Sequence, residues 1–226
     1  MIPKIIHCCW FSGEPKPALF KRCMESWRKY CPAWEIREWD VASIRREVEP
    51  PRFFVEALKA RKWAFASDWA RFWAVSTYGG VYLDMDVELV APIDDLVAEG
   101  GFFALSSDEP QCVDPGLGFA GERGNIALRA IVAKYETMKF DSACHLSQAC
   151  PGVTMAVLED FPNTRLLPAR YFNPKGDCAG KLRISSDTRG IHHFAASWFN
   201  WKQWLAYKIF PKIGVDVGKV KKCFRI

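Results

Sequence analysis

Residues 62–90 read "KWAFASDWARFWAVSTYGGVYLDMDVELV", and no other stretch limits the fold so tightly. Ala64, Phe65, Trp69, Phe72 and Val75 are spaced as residues that line one face of a helix. The spacing predicts a helix over about 62–78, stopped by Gly79 and Gly80. The segment "VYLDMDVELV" then reads as a strand with Asp84 and Asp86 partway along it. Carboxylates are seldom placed along a buried strand without a partner, so these two need a chemical explanation.

The flanking segments continue the alternation. "PKIIHCCWF" (Pro3 to Phe11) reads as a first buried strand. Leu19, Phe20, Cys23, Met24, Trp27 and Tyr30 outline a helix that Pro32 stops. "EIREWD" (Glu35 to Asp40) reads as a second strand, and Phe53 to Lys59 as another helix. Such alternation predicts a single α/β domain with a mixed, mostly parallel sheet. Beyond Pro92 the pattern predicts a strand at "GFFALS", a loop "DEPQCVDPGLGFAG", and a helix from about Ile126 to Met138. A Pro-rich stretch (Pro162, Pro168, Pro174) and "GIHHFAASW" (Gly190 to Trp198) follow. The domain is expected over 1–200, with a tail over 201–226.

Charge separates these two parts. The net charge is +5, yet the tail carries seven Lys or Arg against Asp216, which leaves the preceding 200 residues at −1. Lys interleaved with Trp, Tyr, Ile and Phe suits contact with anionic lipid head groups. A nearly neutral body argues against nucleic acid as a partner. Nine cysteines, an odd number without a CxxC pair, read as reduced thiols. No window reaches the roughly 18 apolar residues of a spanning helix, and the N-terminus lacks signal-peptide character. A cytoplasmic protein is expected, held peripherally at the inner face of the membrane by its tail. Ten Trp and sixteen Phe further suggest stacking surfaces or an apolar face near that membrane.

Asp84 and Asp86, placed where a strand runs out at the carboxyl edge of an α/β sheet, would face the crevice where such sheets bind ligands. Two hard oxygen donors there suit Mg²⁺ or Mn²⁺ bridging a diphosphate. Asp68 and Arg71, three apart, share one helix face. One can accept from sugar hydroxyls while the other donates to phosphate. The bulky apolar flanks Phe65, Trp69, Phe72 and Trp73 argue against an ordinary surface salt bridge. In "IHHFAASW", His192 or His193 offers a metal ligand, Ser197 a hydroxyl and Trp198 a wall. Trp10, at the end of the first strand, can stack on a base or simply fill core.

Taken in order, "IPKIIHCCWF" (2–11), "CMESWRKYCPAWEIREWD" (23–40), "WAFASDWARFWAVSTYGGVYLDMDVELV" (63–90) and "GIHHFAASW" (190–198) resemble the DxD sugar transferases of the glycosyltransferase family 32 type. That group includes initiating mannosyltransferases and bacterial capsule and lipopolysaccharide enzymes, with the glucosylating domains of clostridial toxins as distant relatives. The resemblance implies a GT-A fold, a Rossmann-like nucleotide-sugar-binding domain. It implies that Trp10 stacks on the base, that Asp68 and Arg71 hold sugar and ribose, and that Asp84 bridges ribose, sugar and metal. Asp86 would be the direct metal ligand, His192 rather than His193 a second, and Ser197 a third, with Ser197 and Trp198 closing the diphosphate end. It further implies a nucleotide-sugar donor, a saccharide acceptor and retention of configuration. UDP is preferred to GDP as the more frequent donor in bacterial capsule work, and the basic, aromatic tail suits a lipid-linked acceptor. Asp84, Asp86 and Arg71 would carry the catalysis. Where such enzymes often show a "TGP"-like segment, this chain reads "ACPGVTMAV" (Ala149 to Val157). No nucleophile follows from spacing; Asp108, Glu109 and Asp114 are the acids to test. A non-catalytic saccharide-binding protein on the same fold, or another metal-dependent phosphate-cleaving enzyme, is the alternative.

Overall fold

The computed structural model describes residues 1–142, 145–176 and 181–195. Ser197, Trp198 and the basic tail lie outside the described residues. The strands are β1 (Ile5–Cys9), β2 (Glu35–Trp39), β3 (Gly80–Tyr82), β4 (Val87–Leu89), β5 (Phe102–Asp108), β6 (Gln111–Val113), β7 (Phe119–Gly121), β8 (Leu166–Leu167) and β9 (Gly190–His192). The helices are α1 (Ala18–Tyr30), α2 (Val41–Glu47), α3 (Arg52–Lys59), α4 (Trp63–Tyr78), α5 (Asp94–Ala98), α6 (Ile126–Thr137) and α7 (Cys150–Leu158). Two short 3₁₀ turns lie at His145–Gln148 and Ala169–Tyr171.

Seven strands form one sheet in the order β2-β1-β3-β7-β5-β6, with β8 also paired to β5. β1, β2, β3, β5 and β8 run one way, and β6 and β7 run against them. The mixed, mostly parallel α/β sheet expected from the alternation is present. A second, two-stranded sheet pairs β4 with β9, antiparallel, with Val87 opposite His192.

Alternation along the strands divides the core between the two faces of the large sheet. Ile6 and Cys8 of β1, Val81 of β3 and Phe102 and Ala104 of β5 join Phe20 and Trp27 of α1. Cys9, Tyr82, Phe103 and Leu105 instead join α3, α4 and α6 through Phe53, Phe54, Phe72 and Ile131. The aromatic excess goes largely into this second layer, where Trp69 and Trp73 stack with centroids 5.8 Å apart and Phe72 packs on Phe119 at 4.9 Å. On the other face, the Trp27 indole N–H donates to the Val87 carbonyl at 2.7 Å and ties α1 to the small sheet.

Two expectations are corrected. "VYLDMDVELV" is not one strand: β3 and β4 belong to different sheets, and the aspartates sit in the turn between them. "DEPQCVDPGLGFAG" is not all loop, because it contains β6 and β7. α2 and α7 have no counterpart among the expected elements. α2 is started by a reciprocal cap in which Asp40 accepts from the Ser43 amide and Ser43 accepts from the Asp40 amide.

The glycine stop is a steric requirement. Gly79 has φ +70° and Gly80 φ +117°, and a Cβ on Gly80 would lie 2.6 Å from the Ile5 carbonyl oxygen. The turn is locked by His7, whose Nε2 donates to the Gly79 carbonyl at 2.9 Å while Nδ1 accepts from Trp39 at 3.0 Å. The Nδ1 acceptor bond requires the neutral ring, whereas the Nε2 donor bond survives protonation. Burial, with a smaller contribution from Arg37, pushes His7 down to about 4, against the opposing pull of the Gly79 carbonyl. The unfolded chain, with His near its ordinary 6.5, binds the extra proton first as pH falls, so this contribution is present above pH 6.5 and is lost towards pH 4. It amounts to about 3 kcal/mol at most. In urea melts, the stability difference between wild type and His7→Gln should therefore shrink by about that amount between pH 8 and pH 4.

Candidate active site

The site gathers where β3 ends. α4 is buried from Phe65 through Val75, so Asp68 and Arg71 project from a helix that is wet on neither side. The Arg71 Nη2 lies 3.2 Å from Asp68 Oδ1 and 3.4 Å from Asp84 Oδ1, and its guanidinium stands 4.8 Å over the Tyr82 ring. Asp84 Oδ1 also accepts from the Tyr82 hydroxyl at 2.8 Å. Asp68 Oδ2 accepts from the Cys150 amide at 3.2 Å, anchoring the first turn of α7 to the pair. One nitrogen of Arg71, Nη1, is buried without a hydrogen-bond partner among the described residues.

Asp86 is held from the other side by the small sheet. Its Oδ1 lies 3.0 Å from His192 Nε2, its Oδ2 accepts from the Ala195 amide at 2.7 Å, and its carbonyl accepts from the His193 amide at 3.0 Å. His193 turns away, with Nε2 2.8 Å from Glu88. Asp84, Asp86 and His192 present ligand atoms all within 4.8 Å of one another. Among the described residues His192 Nδ1 is buried without a hydrogen-bond partner, and the donor set of two carboxylates and one imidazole fits Mn²⁺ or Mg²⁺.

Electrostatics separate the two aspartates. Burial works against charge on Asp86, but His192 and the Ala195 amide outweigh it and hold the carboxyl down to about 2. Burial likewise opposes charge on His192, and Asp86 overcomes it, raising the imidazole to about 9. Asp84 is pushed above the usual carboxylate range by burial, against the pull of Arg71. Asp68 is pushed up to about 7 by burial, again opposed by Arg71. Burial opposes charge on Arg71 too, but Asp84 and Tyr82 outweigh it and keep the guanidinium protonated.

The remaining sequence candidates divide. Trp10 lies at the carboxyl edge, half-buried, with its indole N–H on the Glu14 carbonyl and its ring edge-on to Phe20 at 5.4 Å. Asp108 caps the turn at Ala169, accepting that amide at 2.9 Å, and Glu109 is exposed beside it in the β5–β6 hairpin. Asp114 does reach the cluster: it accepts the Gly116 amide at 2.9 Å, and Gly116 in turn accepts the Asp84 amide at 3.1 Å. Sequence reasoning missed Gly116 and the Cys150 amide. "DPG" marks a turn, but nothing in it tells which side chain the turn abuts, and a backbone donor leaves no trace in residue type.

Residues 17–103, which carry Asp68, Arg71, Asp84 and Asp86, match the family described as "Glycosyltransferase sugar-binding region containing DXD motif". An uncharacterized glycosyltransferase, L373, of Acanthamoeba polyphaga mimivirus is 31% identical over 107 residues, 46% of this chain and 43% of the relative. Inositol phosphoceramide mannosyltransferase 1 of Schizosaccharomyces pombe is 29% identical over 114 residues, 48% of this chain and 35% of that protein. The matches thus cover less than half the length of either curated relative. Among solved structures, the PaToxG glycosyltransferase aligns with TM-score 0.54 and 16% identity, over 71% of this chain and 70% of that one. A glycosyltransferase involved in glycosylation of the major capsid of PBCV-1 aligns with TM-score 0.50 and 15% identity, over 85% and 96%. The fold is GT-A, and the resemblance to DxD sugar transferases is borne out in the region that holds both aspartates.

Proposed function

We propose that this chain is a metal-dependent glycosyltransferase that moves a sugar from a nucleotide diphosphate donor, UDP-linked in preference to GDP-linked, to a saccharide acceptor. The observation that carries the reading is the convergence of Asp84, Asp86 and His192 beside the buried Arg71–Asp68 pair. A divalent ion held by Asp86 and His192, with Ser197 as a further ligand, would supply Lewis acidity to the donor diphosphate. Arg71, charged and with Nη1 unpartnered, offers a donor to the leaving phosphate or to a sugar hydroxyl. Asp68 fixes Arg71 in place and accepts from the donor sugar, while Trp10 stacks on the base and Trp198 closes the diphosphate end. Asp84 orients the sugar and ribose. Transfer retains configuration, either by same-face substitution, in which the leaving phosphate takes the acceptor proton, or through a covalent intermediate on a carboxylate, for which Asp114 is the candidate acid nearest the cluster.

The acceptor is read as lipid-linked, in bacterial capsule or lipopolysaccharide synthesis, with the basic tail at the membrane surface. One relative's name as an inositol phosphoceramide mannosyltransferase supports a lipid-borne acceptor. Among the described residues no helix is long and apolar enough to cross a membrane.

The test is binding and slow hydrolysis across UDP-, GDP- and CDP-sugars, with Mn²⁺ or with chelator, in wild type and Asp86→Ala. We expect one donor to bind and hydrolyse, only with metal, and about 10²–10³-fold more slowly in the variant. Binding of no nucleotide sugar by the wild type would sink the transferase reading and favour a saccharide-binding protein on the same fold.

A further inference from the structure

We propose that Phe194 is a positioning residue that holds His192 and Asp86 in register for the divalent ion, an inference that rests on the donor–metal reading above. Phe194 has φ +47°, a left-handed conformation that a bulky L-residue rarely adopts. Strain of this kind persists where the surroundings over-determine it, and here it sits one residue beyond the two histidines.

The turn it makes has two products. β9 runs to His192 opposite Val87, and the His193 amide extends the ladder to the Asp86 carbonyl. The left-handed step at Phe194 then bends the chain back, so that the Ala195 amide reaches Asp86 Oδ2 at 2.7 Å. The same step lays the Phe194 ring against the His192 imidazole, edge to face, with centroids 4.1 Å apart. Asp86 is thereby gripped on both oxygens by one four-residue segment, on Oδ1 by His192 and on Oδ2 by Ala195. Glycine would make the same turn without strain but would leave the imidazole unbacked. The ring is therefore the reason for a phenylalanine at this position. Among the described residues His192 Nδ1 has no hydrogen-bond partner, so beyond the Asp86 contact at Nε2 it is the aromatic contact that backs the ring plane.

Affinity for Mn²⁺ alone, read by electron paramagnetic resonance of the free ion, separates this from a merely structural role. Phe194→Gly is expected to bind Mn²⁺ about tenfold or more weakly, with the metal-free melting temperature unchanged or higher because the strain is relieved. Phe194→Tyr keeps the ring and is expected to stay within about twofold of wild type, on the scale of other ring-backing contacts. In metal-free protein, the upfield ring-current shift of the His192 imidazole protons should vanish in Phe194→Gly and persist in Phe194→Tyr. Wild-type affinity in Phe194→Gly, or equal losses in the two variants, overturns the proposal and leaves the donor–metal reading intact. A wild type that binds no Mn²⁺ overturns this proposal, whereas the donor–metal reading falls only if the nucleotide sugar also fails to bind.

Discussion

Gly116→Ala should fold normally and lose about a hundredfold in metal-dependent donor turnover. A methyl group there would lie 2.5 Å from Asp84 Oδ2, a distance real Cβ atoms essentially never show, and a tight 3.2 Å from Asp114 Oδ1. Gly116 does not use the left-handed region, so alanine brings no backbone strain, and the conflict falls on the Asp84 carboxylate. That carboxylate cannot step aside freely, because Tyr82 and Arg71 hold its other oxygen. A displacement on the order of 1 Å at a group that orients substrate is enough for the expected loss. Steady-state hydrolysis alongside thermal melting decides the matter. Full turnover with a wild-type melting curve would mean that the position of Asp84 does not matter.

The second large effect is on stability. Arg71→Ala removes the cation from between Asp68 and Asp84 and leaves two carboxylates in poor solvent, which should cost about 3–5 kcal/mol. For a chain of this size that lowers the melting temperature by on the order of 10 °C. The loss depends on pH with a definite sign. Asp68 already has its carboxyl raised to about 7 in the folded protein, and losing Arg71 raises it further. A raised carboxyl contributes stability that is present at low pH and lost as pH climbs through the folded value. The variant should therefore be penalised more at pH 8 than at pH 6. Asp68→Asn in the same background, which removes the buried charge, should recover part of the stability at pH 8. An equal penalty at both pH values would argue that Asp68 is not the group left stranded.

Sequence and structure agree where one physical signal dominates. The helix carrying Asp68 and Arg71 is legible because 16 residues of helical periodicity end at two glycines. β1 is legible because its apolar run is bounded by turn residues. The Asp84–Asp86 segment misleads because period-two alternation describes a strand without saying which sheet it joins; "VYL" and "VEL" look continuous although Val81 pairs with β1 and Val87 with β9. β6 and β7, at three residues each, are too short to show alternation inside a loop rich in Pro and Gly. α7 escapes notice because "CPGVTMAVL" has no polar face to set a helical period. At the site, the carboxylates, Arg71 and His192 can be nominated from residue type. The choice of His192 over His193 has its geometric counterpart in Asp86 and Glu88, one on each ring. The grip of the Ala195 amide and the clearance at Gly116 are properties of backbone, and a list of side chains does not contain them.

The order in which the chain emerges during synthesis gives the two-sheet arrangement a temporal meaning. Every strand of the large sheet has left the ribosome by Leu167, whereas the partner strand of β4 begins at Gly190. A nascent chain can thus possess its main scaffold while Asp86 still lacks the imidazole and the amide that hold it. On the donor–metal reading, the groups that hold Asp86 would be made only some hundred residues after the aspartates themselves. A prematurely released polypeptide ending before residue 190 would carry the DxD turn without the imidazole and the amide that hold Asp86.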